Sequence, residues 1–272
     1  MTAGIIKKNE LLRRWQKDVG DNYCNLIKTR YLPFDKNIKF KIFFNPRRAG
    51  SSNYGKGRKC LFCYLKRKKI SFGEYFVIAN IYPFTRNHRL IVSRKHYSQP
   101  KLRDLEMAVE ISRLLNRTMI LSLKDSGAGI PGHLHFHIYR EKMPVFKAPE
   151  KFIAANKEIS VSRIIFPSYG IVVAGDNLAR WLYKITAKMI YPYNLVFYDR
   201  KILIYPRTKI FPVKNTSWKF GATELSGLFV VKTEKLFNQL TKKELCRCMK
   251  TATLNKSREI SQFEKMIKQI VA

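Results

Sequence analysis

The chain has 272 residues, 46% of them hydrophobic, enough to bury a substantial core as one large domain or two small ones. No apolar run approaches the roughly 18 residues that span a bilayer, and the opening MTAGIIKKNELLRRW lacks the apolar core of a secretory signal. A membrane-spanning helix is therefore not expected, and a cytoplasmic location is. Against 53 lysines and arginines stand 19 acidic residues, a formal charge of +34. Such a field draws in polyanions: nucleotides, nucleic acid or acidic membrane surfaces. The cations are spread along the whole chain, which equally fits a lysine-rich composition carried on a solvated surface.

In chain order, an amphipathic helix is predicted over Asn9–Ile27, where Leu11, Leu12, Trp15 and Val19 recur at helical spacing. The strand IKFKIFFNP follows and is ended by Pro46; a loop rich in Gly, Ser, Asn and Lys then runs to Cys60. EYFVIANIYP and HRLIVS read as a hairpin turned at Thr85 to Asn87. KLRDLEMAVEISRLLNRT reads as a helix with Leu102, Leu105, Val109, Ile111 and Leu115 at its apolar positions. Next comes GAGIPGHLHFHIYR, Gly127–Arg140, a glycine-rich run leading into a strand. Beyond the connector EKMPVFKAPEK the pattern recurs more weakly: strand YGIVVAG, helix NLARWLYKITAKMI, strands YNLVFYD and KILIYPR. KKELCRCMK and SREISQFEKMIKQIVA read as further helices, and no short repeat suggests a solenoid. The expected fold is α+β. Two halves, residues 1–145 and 146–272, form an antiparallel sheet with helices packed on it, and only the first carries the histidine motif.

Three of the five histidines fall in that one segment. Alternation along a strand puts His133, His135 and His137 on one face and Leu134, Phe136 and Ile138 on the other, toward the core. Same-face neighbours about 7 Å apart match a di- or triphosphate lying along the strand. The preceding glycines, Gly127, Gly129 and Gly132, let backbone N–H groups approach phosphate oxygens closely. A neutral imidazole is a good nucleophile toward phosphorus, and the abundant positive charge is expected to lower the pKa of His135 and keep it neutral.

The five cysteines, Cys24, Cys60, Cys63, Cys246 and Cys248, are odd in number and widely spaced, which argues against a disulfide framework and for reduced thiols or a metal site. Cys60 and Cys63 form a C-x-x-C knuckle that needs two more ligands to complete a tetrahedron. All five histidines lie between His88 and His137, and His96 and His133 are the best candidates. Two buried thiols beside a surface His96 are the alternative. Cys246 and Cys248 have no histidine near them in sequence.

GAGIPGHLHFHIY resembles the signature of the histidine-triad and galactose-1-phosphate uridylyltransferase superfamily, whose middle motif histidine forms a covalent nucleotidyl intermediate. The resemblance implies His135 as nucleophile, with His137 and the Gly127–Gly132 backbone stabilising charge. It also implies a structural zinc on Cys60, Cys63, His96 and His133. FKIFFNPRRAG, KCLFC, FVIANIYPFTRNHRLIVSRKHYSQ and HLHFHIYREKMPVFKAP, then YNLVFYDRKILIYPR and ATELSGLFVV, resemble in that order the GDP-hexose phosphorylases, from about Phe40 to Val231. GAGIPGH itself is similar to the diadenosine-tetraphosphate phosphorylases of the triad type. Two positions depart from these patterns: His137 stands where the GDP-hexose phosphorylases commonly have glutamine, and Leu121 where the diadenosine enzymes have asparagine.

By this resemblance Asn45 and Arg47 of FNPRR and Asn80 of VIANIYP lie near the nucleotide, while His88 supports its turn. The implied activity is a nucleotidyltransferase of the phosphorylase kind. It would act on a GDP-hexose-like nucleotide sugar or a dinucleoside polyphosphate, with inorganic phosphate as co-substrate and a homodimer as the implied assembly. Two other readings of the charge stand beside it. One is a nucleic-acid end-processing hydrolase that removes adenylate from DNA or trims RNA caps; the other is a non-catalytic basic module that binds nucleic acid.

Overall fold

In the segment Lys39–Phe44 (β2) Phe40 and Ile42 are buried while Lys39 is exposed, the period-two pattern of a strand with one face on a core. This is the computed structural model of the protein, and it describes residues 28–46, 60–64, 70–80, 83–85, 87–130, 132–209 and 218–272. The helix predicted over Asn9–Ile27, the loop before Cys60, and Arg47 lie outside the described residues. β2 pairs antiparallel with β1 (Lys28–Pro33) and parallel with a late strand, Leu228–Val231, to form a three-stranded sheet.

The larger sheet has ten strands: β3 (Ile70–Phe72), β4 (Tyr75–Ala79), β5 (Arg89–Ser93), β6 (Thr118–Ser122), β7 (His135–Tyr139), β8 (Glu150–Ala155), β9 (Ile159–Ile164), β10 (Ile171–Gly175), β11 (Tyr193–Tyr198) and β12 (Lys201–Pro206). The strand Leu228–Val231 is β13. The described helices are α1 (Leu61–Tyr64), α2 (Leu102–Leu115), α3 (Leu178–Ala187), α4 (Ala222–Leu225), α5 (Glu234–Gln239), α6 (Lys242–Ala252) and α7 (Ser257–Val271). Every pairing in the large sheet is antiparallel, and the strands lie in the order β3-β4-β5-β7-β6-β11-β12-β10-β9-β8.

Read outward from the β6–β11 joint, both arms have the same plan: second hairpin, crossover helix, third strand, first hairpin. A pseudo-twofold axis at the Ile120–Val196 pair relates them. α2 and α3 begin the same number of residues ahead of those two positions. Ile120 pairs with His137 and Val196 with Leu203, so β12 is the counterpart of β7, with Leu203 at the place of His137 and Lys201 at that of His135. The α+β fold of two related halves, with histidines in the first only, is the one expected.

Both faces of the sheet are covered. α2, α3 and α7 bring Leu105, Ile111, Leu182, Ile185, Phe263 and Ile267 onto one face, against Phe136, Ile138, Leu195 and Phe197. The small sheet, α4 and α6 cover much of the other, where Phe40, Ile42, Phe229 and Met249 meet Ile120, Val196, Leu203 and Tyr205. Phe62 of α1 caps a third cluster with Phe76, Ile78, Leu90 and Val92. Strands buried on both faces read as continuous apolar runs, as in RLIVS and KILIYP. Among the described residues no helix is long and apolar enough to cross a membrane.

Some elements differ from the sequence reading. The helix expected to reach Thr118 stops at Leu115, because Asn116 takes the left-handed conformation (φ 48°) that closes a helix, and the freed TMILS becomes β6. The strands β1, β3, β8, β9 and β13 were not foreseen. The histidine strand begins at His135, so His133 sits in the bend before it.

Candidate active site

β7 lies between β5 and β6, with His135 opposite Val92 and His137 opposite Leu90 and Ile120. The His135 Nδ1 is 2.8 Å from the carbonyl oxygen of His133. A carbonyl only accepts, so Nδ1 carries the proton and donates, and the lone pair is on Nε2, which has no hydrogen-bond partner among the described residues. The residue is 5% exposed, with the Phe62 ring 5.0 Å from its own. Burial pushes the His135 pKa down to about 4, and the bond to the His133 carbonyl opposes this. The lowering foreseen in the sequence is present, but its main cause is desolvation and not the surface charge.

Cys60, Cys63, His96 and His133 come together as the C-x-x-C reading anticipated, their donor atoms all within 4.8 Å of one another. The His133 Nδ1 is 3.3 Å from the Cys60 sulfur and 3.8 Å from that of Cys63. A tetrahedral ion bonded at zinc-like lengths holds its ligands roughly 3.4–3.8 Å apart, so these separations fit one. The other ring nitrogen, Nε2, donates to the Ser93 carbonyl at 2.7 Å, which turns a bare Nδ1 toward the thiols. The backbone passes close to His96 at Gly132, where a Cβ would lie 3.4 Å from the imidazole Cε1, an ordinary contact. Two sulfurs and two imidazoles form a donor set suited to a closed tetrahedral metal site. Phe62 stands between the two cysteines in sequence, and its ring packs on both His133 and His135. Whatever fixes the cysteines therefore also fixes the cover over His135. Cys246 and Cys248 lie on α6, outside this cluster, where burial raises both thiol pKa values.

His88 has more than a turn to support. It is buried, with its Nε2 3.0 Å from the His137 Nδ1, and the Asn80 amide nitrogen stands 2.9 Å from the same atom. Phe84 packs edge-on against the His88 ring at 4.4 Å. Asn45, expected at the nucleotide, is buried and donates to the Pro83 carbonyl at 2.6 Å, tying β2 to the segment that carries Phe84. The sequence held one signal for His88: period-two alternation in HRLIVS places it on the face of Leu90, the residue that pairs with His137.

The glycine run is anchored from the second half. Gly127 is left-handed (φ 100°), and a Cβ there would lie 3.1 Å from the Phe220 carbonyl oxygen, so only glycine fits comfortably. Just before it, the buried Asn194 of β11 donates to the Ser126 carbonyl at 2.9 Å and to the Ser122 hydroxyl at 2.8 Å. Arg207 in turn donates to the Asn194 side-chain oxygen at 2.6 Å and to the carbonyls of Ala252 and Lys209. Burial draws the Arg207 pKa down to about 10. Sequence reading singled out neither Asn194 nor Arg207. In the run itself Ala128 donates to the Leu123 carbonyl, whereas the N–H groups of Gly127, Gly129 and Gly132 donate to no described residue.

Residues 8–140 match the family model of a domain of unknown function, DUF4922, and residues 142–272 match that of the GDPGP1-like C-terminal domain. No curated protein gives a significant match to the sequence. The fold is similar to that of the yeast Ap4A phosphorylase Apa2, with a TM-score of 0.64 at 15% identity over 91% of this chain and 97% of that one. The same enzyme solved in complex with Ap4A gives 0.63 at 13% identity over 90% and 94%, and in complex with AMP 0.61 at 15% over 84% and 88%. The likeness to these structures is one of fold, and the second half of the chain, residues 142–272, is matched by the GDPGP1-like C-terminal domain.

Proposed function

We propose that the protein is a phosphorylase that moves a nucleotidyl group from a GDP-hexose-like nucleotide sugar, or from a dinucleoside polyphosphate, to inorganic phosphate through an adduct on His135. The observation that carries this reading is the fixed state of that ring: its proton is committed to the His133 carbonyl at Nδ1 and its lone pair is on Nε2, which has no partner among the described residues. The fold shared with an Ap4A phosphorylase and the GDPGP1-like second half support it.

In the first step the Nε2 lone pair forms a bond to the α-phosphorus, and the bond from phosphorus to the bridging oxygen breaks. Its electron pair leaves with the hexose 1-phosphate or nucleoside polyphosphate, a good leaving group that needs little acid assistance. The imidazole of the adduct is cationic, and its Nδ1–H donating to the His133 carbonyl stabilises that charge. In the second step a phosphate oxygen attacks the same phosphorus, and the nitrogen–phosphorus electron pair returns to Nε2. His137, engaged by His88, and the N–H groups of Gly127, Gly129 and Gly132 face the equatorial oxygens. Asn45 and Asn80 serve indirectly, through Pro83 and His88. Because His135 is almost wholly buried, the nucleotide has to displace a covering group, and Phe62 packs directly on the ring.

Cys60, Cys63, His96 and His133 would hold zinc as a structural ion, closed by four protein ligands, which supplies rigidity beside the nucleophile and no bond-making. Water competes with phosphate at far higher concentration, so phosphorolysis needs a site that retains the anion, and the basic composition suits that need. The test is a screen of nucleotide sugars and dinucleoside polyphosphates, with and without phosphate, read by mass spectrometry. The expected result is cleavage of at least one class at a rate that rises at least tenfold with phosphate and yields a nucleoside diphosphate. Nucleoside monophosphate formed at the same rate without phosphate would instead make the protein a hydrolase.

A further inference from the structure

The pseudo-twofold axis that carries β7 onto β12 also carries the histidine end of the sheet onto a second place. There Lys201 stands for His135. That place is open, a cleft of about 900 Å³ at the other end of β6 and β7. Arg140 is five residues beyond His135, roughly 17 Å along an extended chain, so the two sites are separate. The volume lies in the range of small-molecule pockets, roughly 300–1,000 Å³, and is too small to seat a duplex.

The lining is cationic. Lys39, Arg117, Arg140, Lys142 and Lys147 make no side-chain hydrogen bond or ion pair with any described residue, while Asp199 is the one lining carboxylate. Two more lining cations are already neutralised, Lys41 by Glu141 at 2.9 Å and Lys201 by Glu150 at 2.7 Å. Thr118 pairs with Tyr139, so Arg117 and Arg140 follow as opposite neighbours at the end of the two strands. Like charges so placed destabilise a sheet. Partial burial and the Arg140 charge both hold the Arg117 guanidinium below its usual pKa, so the pair is not compensated within the protein. Beside the arginines lie apolar surfaces: Phe146 stacks on Tyr198 at 3.7 Å, and Tyr31 is 55% exposed. Converging unpaired cations next to aromatic rings recognise a phosphate chain attached to a planar base.

We infer that this cleft is a second, non-catalytic site for a phosphate-rich anion the size of a nucleoside polyphosphate. It does not repeat the chemistry of the first half, because the residue at the place of the His135 imidazole is Lys201, ion-paired with Glu150 at 2.7 Å. The inference rests on the sheet symmetry and the cleft lining and is independent of the activity proposed for His135.

The experiment is calorimetric titration of the full chain with inorganic tripolyphosphate, with GTP and ATP, and with a single-stranded RNA 12-mer. Wild type is compared with Arg140→Gln/Lys147→Gln, both exposed positions. The expected result is one nucleotide equivalent per chain fewer in the double variant than in wild type. Tripolyphosphate binding should weaken at least tenfold, and thermal unfolding and turnover should stay unchanged. Lys142→Gln alone should weaken tripolyphosphate binding several-fold. Nucleotide stoichiometry and tripolyphosphate affinity that survive the substitutions would overturn the inference. So would a loss confined to the RNA, which would assign the cleft to a polymer.

Discussion

Replacing His135 with alanine is expected to lower kcat by about 10⁴-fold or more while the protein stays folded. The size follows from the absence of a substitute. The His133 Nδ1 faces two thiols and its Nε2 is bonded to Ser93, while His137 is engaged by His88, so neither neighbour presents a lone pair where His135 does. The alanine loses a buried ring and one hydrogen bond, about 1–3 kcal/mol, which a few degrees in thermal unfolding would report. A variant that keeps more than a tenth of wild-type turnover would remove His135 from the reaction.

Disruption of the cysteine–histidine cluster is the second large effect. Cys60→Ser, Cys63→Ser or His96→Ala should each take zinc content, measured by plasma mass spectrometry, from one per chain to near zero. Each should lower stability by about 2–5 kcal/mol, a drop in unfolding temperature on the order of 10 °C. Activity should fall as well, by about 10–100-fold, because Phe62 is carried between the two cysteines and packs on His135. Cys246→Ser, on α6 away from the cluster, should keep its metal and its stability. Wild-type protein prepared with zinc that binds none, or a Cys60→Ser variant that retains it, would contradict the assignment.

The parts legible in the sequence were those whose chemistry or periodicity is local. The hairpin before α2, the histidine strand, the crossover helices and the C-x-x-C pair announce themselves by alternation, helical spacing or ligand type. β6 was hidden because Asn116 is a weak stop, and only its left-handed conformation separates the helix from TMILS. β8 and β9 lie at the far edge of the sheet, where Glu150, Lys151 and Ser160 face solvent and blur the apolar pattern.

In the site, the four residues of the cysteine–histidine cluster were readable as residue types, but the bond between His88 and His137 depends on the β5–β7 register. Asn194 and Arg207 reach the glycine run from a distant part of the sequence, through the β6–β11 joint. The cause of the lowered His135 pKa was misread for a similar reason: net charge is written in composition, whereas burial beneath Phe62 exists only once the chain is folded.

The most direct measurement is to quench the protein with substrate in the absence of phosphate, denature it, and locate the adduct by peptide mass spectrometry and phosphorus NMR. These methods together distinguish attachment at the two imidazole nitrogens. With Nδ1 committed to the His133 carbonyl, the nucleotidyl group should be found on His135 and on Nε2 alone. An adduct at Nδ1, one on His137, or turnover through which His135 stays unmodified would contradict the account.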